Sequence, residues 1–570
     1  MTDVSQLITD HLDIWTSAIE KKSGAGRGNG GGISLYGIKK LRDLVLELAV
    51  QGKLVPQDPE EGNSTDLLEA IEQARLDLVK QKKVKNQKGA SPVAEEEFRF
   101  LLPNGWAWTR LSSLAEISPR NDVEDSTLAS FVPMPDIHTS HTGEHHHAER
   151  RWGEIKKSYT HFADGDIALA KITPCFENSK AAVFSNLHNG VGAGTTELHV
   201  ARPYYQEIVP RFILLHLKAP SFLENGKAVM TGSAGQKRVP RWYFADTPIA
   251  LPPTAEQHRI VAKVDELMGL CDTLEAQAAD SLKAHQTLVE TCLAALTNSQ
   301  TPEDLTQNWA RLEANFDSLF TTEESIRKLK LTVLKLATTG QLVAQSSEDQ
   351  PASNFISATR TAKEEFENSS RRRSRKGIDK RASLGDLTNL PAGWGADFFG
   401  NLVFSRDSER VPLSVSERQK RQGCYDYYGA SGVIDSIDDY LFDEPLLLIG
   451  EDGANLINRS TPIAFIARGK FWVNNHAHVL GAKTEIFLQY LEIYINSISL
   501  EPYVTGTAQP KMNQAKMNTI PVWVPPEAEQ GRIVIRVHQL LAICDQLLAK
   551  LPVAHRTQRQ LANSLADQVH

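Results

Sequence analysis

The sequence predicts an α+β fold in which two tandem α/β bodies are separated by long repeated helices that form an antiparallel coiled coil. Three observations predict this internal pseudo-two-fold repeat. The segment Gly37–Gln57 recurs as Ser325–Gln345 with 11 of 21 positions identical, at an offset of 288 residues. An LPNGW motif recurs as LPAGW at the same offset. A third segment, Pro248–Leu274, recurs as Pro521–Leu547 at an offset of 273, so the second body is 15 residues shorter.

A repeat of this length is not a solenoid, whose units recur every 20 to 50 residues or so. It is typical of a covalent pseudo-dimer, in which both halves keep the surface that a two-fold dimer would duplicate. The repeated frames match well, whereas the bodies between them do not. We therefore expect a structural frame that carries two bodies of different specificity.

The chain begins with a segment that we expect to be tethered rather than built into the fold. Met1–Glu20 has the pattern of a short amphipathic helix, and the Gly-rich stretch Lys21–Gly32 is typical of a flexible linker. From Ile38 to Val50 the apolar residues fall at helical spacing, and Gly52 is placed as a C-cap. We divide the chain into an N-terminal tethered helix and linker (1–36), a helical arm with repeat copy 1 (37–95), a first body (96–252), central helices with repeat copy 2 (253–345), a basic linker (346–385), a second body (386–525) and a C-terminal coiled-coil helix (526–570).

Each body mixes short β-like runs with turns and lacks the regular alternation of a βαβ sheet. The first body also contains one predicted helix, at Ile208–Lys218. This pattern predicts an α+β body. Both bodies close on a segment rich in glycine and cations that contains no acidic residue, at Thr231–Trp242 and Thr505–Asn518. The two segments are therefore the first candidates for binding an anionic partner.

Two long helices carry apolar residues at alternating steps of 4 and 3, which indicates a coiled-coil face. Because the two helices are equivalent in the repeat, we expect them to pair with each other, and antiparallel pairing follows because a parallel pair would place both bodies at one end. Helices of about 40 residues would make a rod about 60 Å long. The predicted interface consists of Ile260, Val264, Leu267, Cys271, Leu274, Ile533, Val537, Leu540, Cys544 and Leu547.

Composition limits the function classes. The five cysteines are scattered and form no CxxC pair, so we expect reduced thiols. The N-terminus lacks an apolar core and no apolar run approaches about 18 residues, so we expect a cytoplasmic protein without a membrane segment. The net charge of −8 requires any DNA-binding surface to be local. Basic runs at Lys80–Lys88 and Arg371–Lys376 are either solvated tethers or parts of such a surface.

The arrangement resembles the specificity subunit of type I restriction-modification enzymes over nearly the whole chain. The resemblance rests on the duplicated LPxGW motifs, the PPTAEQHRI and PPEAEQGRI helix starts, the arm segment and TGTAQPKMN at Thr505. The first body departs from the family pattern, because GSAGQKR stands where GTAQPKMN would be typical.

The resemblance implies two target-recognition domains, each reading one half of a split asymmetric site in double-stranded DNA. It also implies two modification subunits that bring S-adenosylmethionine and methylate adenine, and motor-nuclease restriction subunits that use ATP and Mg. No cofactor is expected in this chain. A second function class stays open, namely a scaffold or regulatory decoy that binds the same partners without reading DNA.

Catalytic signals are weak. The sequence contains no phosphate-binding GxxxxGK[ST] loop and no Asn/Asp-Pro-Pro-Tyr/Phe methyltransferase motif, so we expect no catalytic residue. Asp136, Glu154 and Lys156 imitate a nuclease carboxylate-lysine set, but the residues are common and their spacing is loose. A histidine-rich loop could bind a transition metal, although a polar surface loop is favoured and no metal site is expected; it contains His138, His141, His145, His146 and His147.

Reading bases requires side chains with paired donors and acceptors, such as Arg or Lys for guanine and Asn or Gln for adenine. A solvated turn remains the alternative for each candidate. The candidates in the first body are Gln236, Lys237, Arg238 and Arg241, with Lys171, Asn178 and Lys180 as a weaker group; those in the second are Gln509, Lys511, Asn513, Gln514 and Lys516.

Overall fold

The structure is a computed structural model that describes residues 4–21, 33–85, 90–233, 235–369, 383–384, 390–506 and 509–567. The chain forms two compact units. Unit 1 contains residues 1–281 and 554–570, and unit 2 contains residues 282–553. Each predicted body therefore lies within a single unit. No helix among the described residues is long and apolar enough to cross a bilayer.

Unit 1 places its body between an arm and the first long helix. Its helices are α1 (Val4–Asp10), α2 (Leu12–Ser17), α3 (Tyr36–Val50), α4 (Ser64–Lys80), α5 (Leu111–Leu114), α6 (Trp152–Ile155), α7 (Pro210–Lys218), α8 (Pro220–Val229), α9 (Arg241–Asp246) and α10 (Thr254–Thr297), which continues into unit 2. Its strands are β1 (Glu20–Lys21), β2 (Ile33–Ser34), β3 (Ala107–Arg110), β4 (Ala115–Ile117), β5 (Leu128–Val132), β6 (Ala148–Arg151), β7 (Thr160–Ala163), β8 (Ile167–Ala170), β9 (Ala181–Val183), β10 (Val191–Gly194), β11 (Leu198–Pro203) and β12 (Pro248–Leu251).

Unit 2 repeats the order of arm, body and long helix. Its helices are α11 (Pro302–Ala314), α12 (Phe316–Leu319), α13 (Glu323–Thr338), α14 (Ala352–Ser369), α15 (Phe399–Leu402), α16 (Val415–Lys420), α17 (Asn455–Asn458), α18 (Glu485–Ser497), α19 (Gln514–Met517) and α20 (Glu527–Asp567), whose end belongs to unit 1. Its strands are β13 (Gly395–Phe398), β14 (Phe404–Ser405), β15 (Gln422–Gly429), β16 (Gly432–Ile437), β17 (Phe442–Asp443), β18 (Leu446–Gly450), β19 (Ala464–Ala467), β20 (Lys470–Val473), β21 (Ala477–Gly481) and β22 (Pro521–Val524).

The two bodies share one sheet topology despite their different sequences. In unit 1 the four-stranded sheets run β6-β5-β10-β7 and β4-β11-β8-β9, and in unit 2 they run β16-β15-β20-β17 and β14-β21-β18-β19. A two-stranded sheet closes each body, pairing β3 with β12 and β13 with β22. The only parallel pairs among the described strands, β5–β10 and β15–β20, occupy the same place in both sheets. The predicted α+β class is confirmed, and the duplication extends through the bodies.

The repeated LPxGW and AEQ motifs meet in each unit. Trp106 Nε1 donates to the buried Glu256 carboxylate at 3.0 Å, and Trp394 Nε1 donates to buried Glu529 at 3.1 Å. A neighbouring ion pair is also duplicated, since Arg259 bonds Glu61 and Arg532 bonds Asp349 at the equivalent positions. These motifs therefore join the body to the start of the long helix.

The arm helices pack beside the long helices. Arg42 of α3 pairs with Asp272 of α10 at 2.6 Å, and Lys330 of α13 forms the equivalent pair with Asp545 of α20. Gly52, the predicted C-cap, has a φ of +70°, and the equivalent Gly340 has a φ of +73°. Because this backbone conformation favours glycine, each arm helix ends at its own glycine.

The predicted coiled-coil positions lie in the cores of their units. Ile260, Val264, Leu267, Cys271 and Leu274 are buried in a core that also contains the arm helix α3 and the end of α20. In unit 2, three of the five positions are buried and two are half-buried; the buried ones are Ile533, Val537 and Cys544, and the half-buried ones are Leu540 and Leu547. Residues of the arm helices also belong to both cores. The predicted coiled-coil positions therefore do not pack only between the two long helices.

The equivalent cysteines, Cys271 and Cys544, are both buried. Burial raises the pKa of both the Cys271 and the Cys544 thiols to about 11. The thiols therefore stay protonated at neutral pH, and they are not paired in disulfides.

The N-terminal segment differs from its prediction as a tether. Ile8, Trp15 and Ala18 are buried in the core of unit 1, and Gly37 N donates to Ala18 O at 3.0 Å. At Gly37 a side chain would collide with the Trp15 backbone. The absence of a side chain at Gly37 lets α2 pack directly on α3, which is why this segment is built into the fold.

Candidate nucleic-acid interface

The Gly-and-cation segment of unit 1 forms a narrow loop. Thr231 and Arg238 exchange backbone hydrogen bonds of 3.0 and 2.8 Å, which close the loop between them. Val239 N then donates to Lys171 O at 2.8 Å, at the end of β8. The strand end therefore holds the base of the loop in place while its tip, including Gln236, is exposed.

The segment of unit 2 forms the same loop. Thr505 and Lys511 exchange two backbone hydrogen bonds of 2.8 Å, and Met512 N donates to Glu451 O at 2.8 Å. Glu451 follows β18 as Lys171 follows β8. The closing hydrogen bonds of the two loops are therefore equivalent, although the loop of unit 2 is one residue shorter and carries different side chains.

A histidine lies beneath each loop. His199 Nε2 lies 3.0 Å from Val239 O, and His478 Nε2 lies 3.0 Å from Met512 O. A carbonyl oxygen only accepts, so each Nε2 carries a proton. These histidines are not among the candidates that the sequence pattern predicts, although ELHVA and HAHVL place a histidine at the same point of the equivalent strands.

The two histidines differ in charge. Burial lowers the pKa of His199, whose Nε2 is held by a backbone carbonyl alone. Burial also acts to lower the pKa of His478, but Asp407 at 2.7 Å from Nδ1 outweighs it, and the pKa is raised. The loop of unit 2 therefore rests on an ion pair, and that of unit 1 on a neutral ring.

The candidates in the first loop divide into free and bound side chains. Arg238 makes two hydrogen bonds to the Glu197 carboxylate, at 2.9 and 2.8 Å, which lower the pKa of Glu197. Arg241 donates to Ile117 O at 3.2 Å. Within the described part of the chain, Gln236 and Lys237 are exposed and their side chains form no hydrogen bond. These two remain available for a ligand.

One member of the weaker group is tied to the body. Lys180 Nζ donates to Met134 O at 2.8 Å, whereas Asn178 is exposed. Between them, Ser179 O accepts a hydrogen bond of 2.7 Å from the buried ammonium of Lys218. Lys218 was not predicted, because its position within an apolar helical run gave no sign of a polar role.

The second loop shows a similar division. Asn513 Oδ1 accepts from Lys516 N at 3.0 Å and caps the short helix α19, while Gln514 Nε2 donates to Ser405 Oγ at 2.7 Å. Lys511 pairs with Glu451 at 3.1 Å. Among the residues described here, Gln509 and Lys516 are exposed without a side-chain partner. Gln509 and Gln236 occupy equivalent positions.

The acidic charge beside the second loop is balanced. Glu451 lies within 3.0 Å of Arg410, 3.1 Å of Lys511 and 3.9 Å of His478. Burial acts to raise the pKa of Glu451, but these cations outweigh it, so the pKa is lowered. The loop therefore presents no uncompensated carboxylate at this point.

The other sequence candidates do not assemble into a site. Lys156 pairs with Asp125 rather than with Asp136 or Glu154. No group of three or more His, Cys, Asp or Glu residues in the described ranges could hold a metal ion, the histidine-rich loop included. The basic run Arg371–Lys376 and the end of the run Lys80–Lys88 lie outside the described residues.

Comparisons with known proteins identify a family. A family profile described as the type I restriction modification DNA specificity domain matches residues 406–554. The type I restriction enzyme EcoEI specificity subunit of Escherichia coli is 42% identical over 591 aligned residues, covering 99% of both chains. The EcoAI specificity subunit of the same organism is 42% identical over 588, again covering 99% of both.

Among solved structures, the HsdS subunit from Thermoanaerobacter tengcongensis is similar to 83% of this chain and 98% of its own, with 17% identity and a TM-score of 0.44. The full-length identity to two curated relatives is well above that level. The chain belongs to the family of type I restriction enzyme specificity subunits.

Proposed function

We propose that this chain is the sequence-specific DNA-recognition subunit of a type I restriction-modification complex, and that it is not itself catalytic. Each body reads one half of a bipartite asymmetric site in double-stranded DNA. The observation that carries the proposal is the pair of loops closed by equivalent backbone hydrogen bonds, which share one exposed glutamine and differ at several other positions. A duplicated frame with divergent tips suits two readers of different sequences.

The free side chains of the two segments have the chemistry of base readout. The amides of Gln236 and Gln509 offer a donor and an acceptor, which match the major-groove edge of adenine. Lys237 and Lys516 offer donors to guanine or to phosphate. Arg238 and Lys511 are paired with carboxylates, so we assign them to fixing the loops, together with the cap Asn513 and the bridge Gln514.

The partner assignments extend this proposal. Two modification subunits would bring S-adenosylmethionine and methylate adenine, and restriction subunits would supply ATP- and Mg-dependent cleavage in the cytoplasm. The residues of the predicted coiled-coil seam would set the spacing of the two readers.

Methylation mapping tests the proposal in cells that express this chain with its modification subunits. We expect one bipartite motif. Gln509→Ala with Lys516→Ala should relax the bases of one half-site, and Gln236→Ala with Lys237→Ala should relax the other. Matched substitutions at exposed lysines distant in sequence from both loops, Lys39→Ala with Lys283→Ala, should leave both half-sites intact. A non-reading scaffold would instead give a complex that binds all duplexes equally at every salt concentration.

A further inference from the structure

A basic groove in unit 1 is lined in part by Arg241, three residues after the loop that Thr231 and Arg238 close. A cavity of about 650 Å³ in unit 1 is bounded by the end of α4 on one side and by the segment after β4 on the other. Its lining contains five cationic side chains and one carboxylate, Glu116. The cations are Lys82, Lys83, Lys85, Arg120 and Arg241. In a chain with a net charge of −8, this excess of positive charge is local.

The lysines of this groove are held by a defined helix end. Lys82 N donates to Val79 O at 2.9 Å and Lys83 N donates to Leu78 O at 3.0 Å, with Lys82 at a φ of +59°. This is the Schellman pattern, in which a left-handed residue reverses the chain after a helix. A non-glycine residue in that conformation is uncommon. The basic run is thus a shaped end of α4 up to residue 85 rather than a featureless tether.

The cations of the groove are available to a ligand. Lys82, Lys83, Lys85 and Arg120 are exposed, and over the described residues none of them makes an ion pair or a side-chain hydrogen bond. Burial raises the pKa of the single carboxyl of the lining, Glu116, while Arg202 and Lys85 act to lower it. The five cations of the lining outnumber this one carboxylate. The groove therefore favours an extended anion.

The position of the groove identifies that anion. A second cavity of about 760 Å³ shares Ile117 and Arg241 with the groove and adds the exposed Trp242. Its other charges include Glu72 and Asp246, and Arg75 of its lining is paired with Glu72 at 2.7 Å. Arg241 lies within the segment Thr231–Trp242, three residues after Arg238 closes the loop that we assign to base reading, so the two cavities share a residue of that segment. Phosphate contacts fix the register of a reader on the duplex, and they usually flank its base contacts.

We infer that the end of α4 and the groove beside it bind the sugar-phosphate backbone of the DNA next to the half-site read by the first body. This inference rests on the proposed function. Lys82, Lys83, Lys85 and Arg120 are then positioning residues, which add affinity without selecting bases.

The salt dependence of binding tests the assignment. The triple variant Lys82→Gln, Lys83→Gln, Lys85→Gln is assembled with the modification subunits, and its affinity for a duplex bearing the mapped site is measured from 50 to 200 mM salt. The slope of log K against log salt is negative, and each lost phosphate contact reduces its magnitude by about 0.9. For three lost contacts we expect the magnitude to fall by about 2.7. Over this range, the loss of affinity should become about 40-fold smaller than in the unmodified complex. Methylation mapping should return the same bases.

Three further arms make the result decisive. The charge-matched control Lys39→Gln, Lys227→Gln, Lys283→Gln changes exposed lysines outside the groove and should leave the slope within about 0.5 of the original. The Lys→Arg triple should keep the slope. An unchanged slope in the Gln triple, altered bases, or loss of modification subunits at constant slope would overturn the inference, the last indicating an acidic protein surface. Failure of the proposed function is distinct, because the unmodified complex would then show no preferred site.

Discussion

The indole of Trp394 donates its hydrogen bond to a Glu529 carboxylate that is 1% exposed. This contact explains why LPxGW and AEQ recur together in the sequence, because the tryptophan of one motif donates a hydrogen bond to the glutamate of the other. Burial raises the pKa of Glu529, and the Trp394 hydrogen bond opposes that shift. The second oxygen, Oε1, has no hydrogen-bond partner among the described residues. The indole is therefore the main support of this carboxylate.

Trp394→Phe should destabilise unit 2 by roughly 1–3 kcal/mol, because it leaves a buried carboxylate unsatisfied. Trp106→Phe should cost less, since Glu256 also accepts from Gln57 Nε2 at 3.4 Å. Urea unfolding followed by hydrogen exchange in each unit measures both changes. Adding Glu529→Gln to Trp394→Phe should recover part of the loss. A smaller effect at Trp394 than at Trp106 would contradict this account.

His478 predicts a loss of stability in unit 2 at alkaline pH. Its folded-state pKa lies above the ordinary 6.5, so the native state binds the proton more tightly than the unfolded chain does. The stabilisation is complete below pH 6.5 and is lost as the pH rises through the raised value. Asp407, Arg410, Glu451 and the Lys511 ammonium are the charges around this ring and its loop.

Unfolding of unit 2 at pH 6 and pH 9 measures the effect, which should be absent in His478→Gln. The equivalent His199 serves as an internal control. Its pKa is lowered, so unit 1 should lack this alkaline loss. An NMR titration that places the pKa of His478 below 6.5 would refute the ion-pair support of the loop.

Lys218 predicts the opposite trend in unit 1. Burial lowers the pKa of its ammonium to about 7, far below the ordinary 10.5. The charged form is therefore penalised in the native state below pH 7, and the penalty is relieved as the pH rises from 7 towards 10.5. Relative to Lys218→Met, the unmodified protein should gain up to about 4 kcal/mol between pH 7 and 10. Parallel pH dependences of the two proteins would show that Lys218 is not titrating in this range.

The frame was predictable from the sequence because a duplication repeats its own contacts. LPxGW, AEQ and the arm helix each have a copy at a fixed offset, and their copies form equivalent bonds. The sheet topology of the bodies was not predictable, because the strands are only two to eight residues long and the sequences of the two bodies have diverged. The shared topology becomes apparent only from strand pairing.

The candidate site was predictable as a segment and not as a set of side chains. Arg238 pairs with Glu197, which is 41 residues away in the sequence, and no local sequence pattern predicts that ion pair. Asn513 and Gln509 are both amide-type residues in one short loop, yet one caps α19 and the other is exposed. The same functional groups serve structure and readout, so only the surrounding acceptors separate the two roles. Trp15 was missed for a related reason, because its packing depends on the bare backbone of Gly37.

The spacing of the two readers is the property that the long helices should control. The chain passes from unit 1 to unit 2 within α10, at Ser281–Leu282, and returns within α20, at Val553–Ala554. An insertion near the end of α10, for example after Ala295, would fall beside the buried Leu293 and Leu296 and disturb unit 2 itself. Ser281 and Val553 are exposed. Both crossings must be lengthened together, since either helix alone would hold the original distance.

Four residues inserted after Ser281 and four after Val553 add about one helical turn to each helix, or roughly 6 Å at 1.5 Å per residue. This length is close to two base pairs at about 3.4 Å each. We expect methylation mapping to return the same bases in both half-sites, with the gap between them longer by one or two base pairs. Four residues inserted after Ser281 alone are the matched control and should weaken the complex without setting a new gap. Altered bases, or an unchanged gap in a stable double-insertion complex, would show that the long helices do not set the spacing.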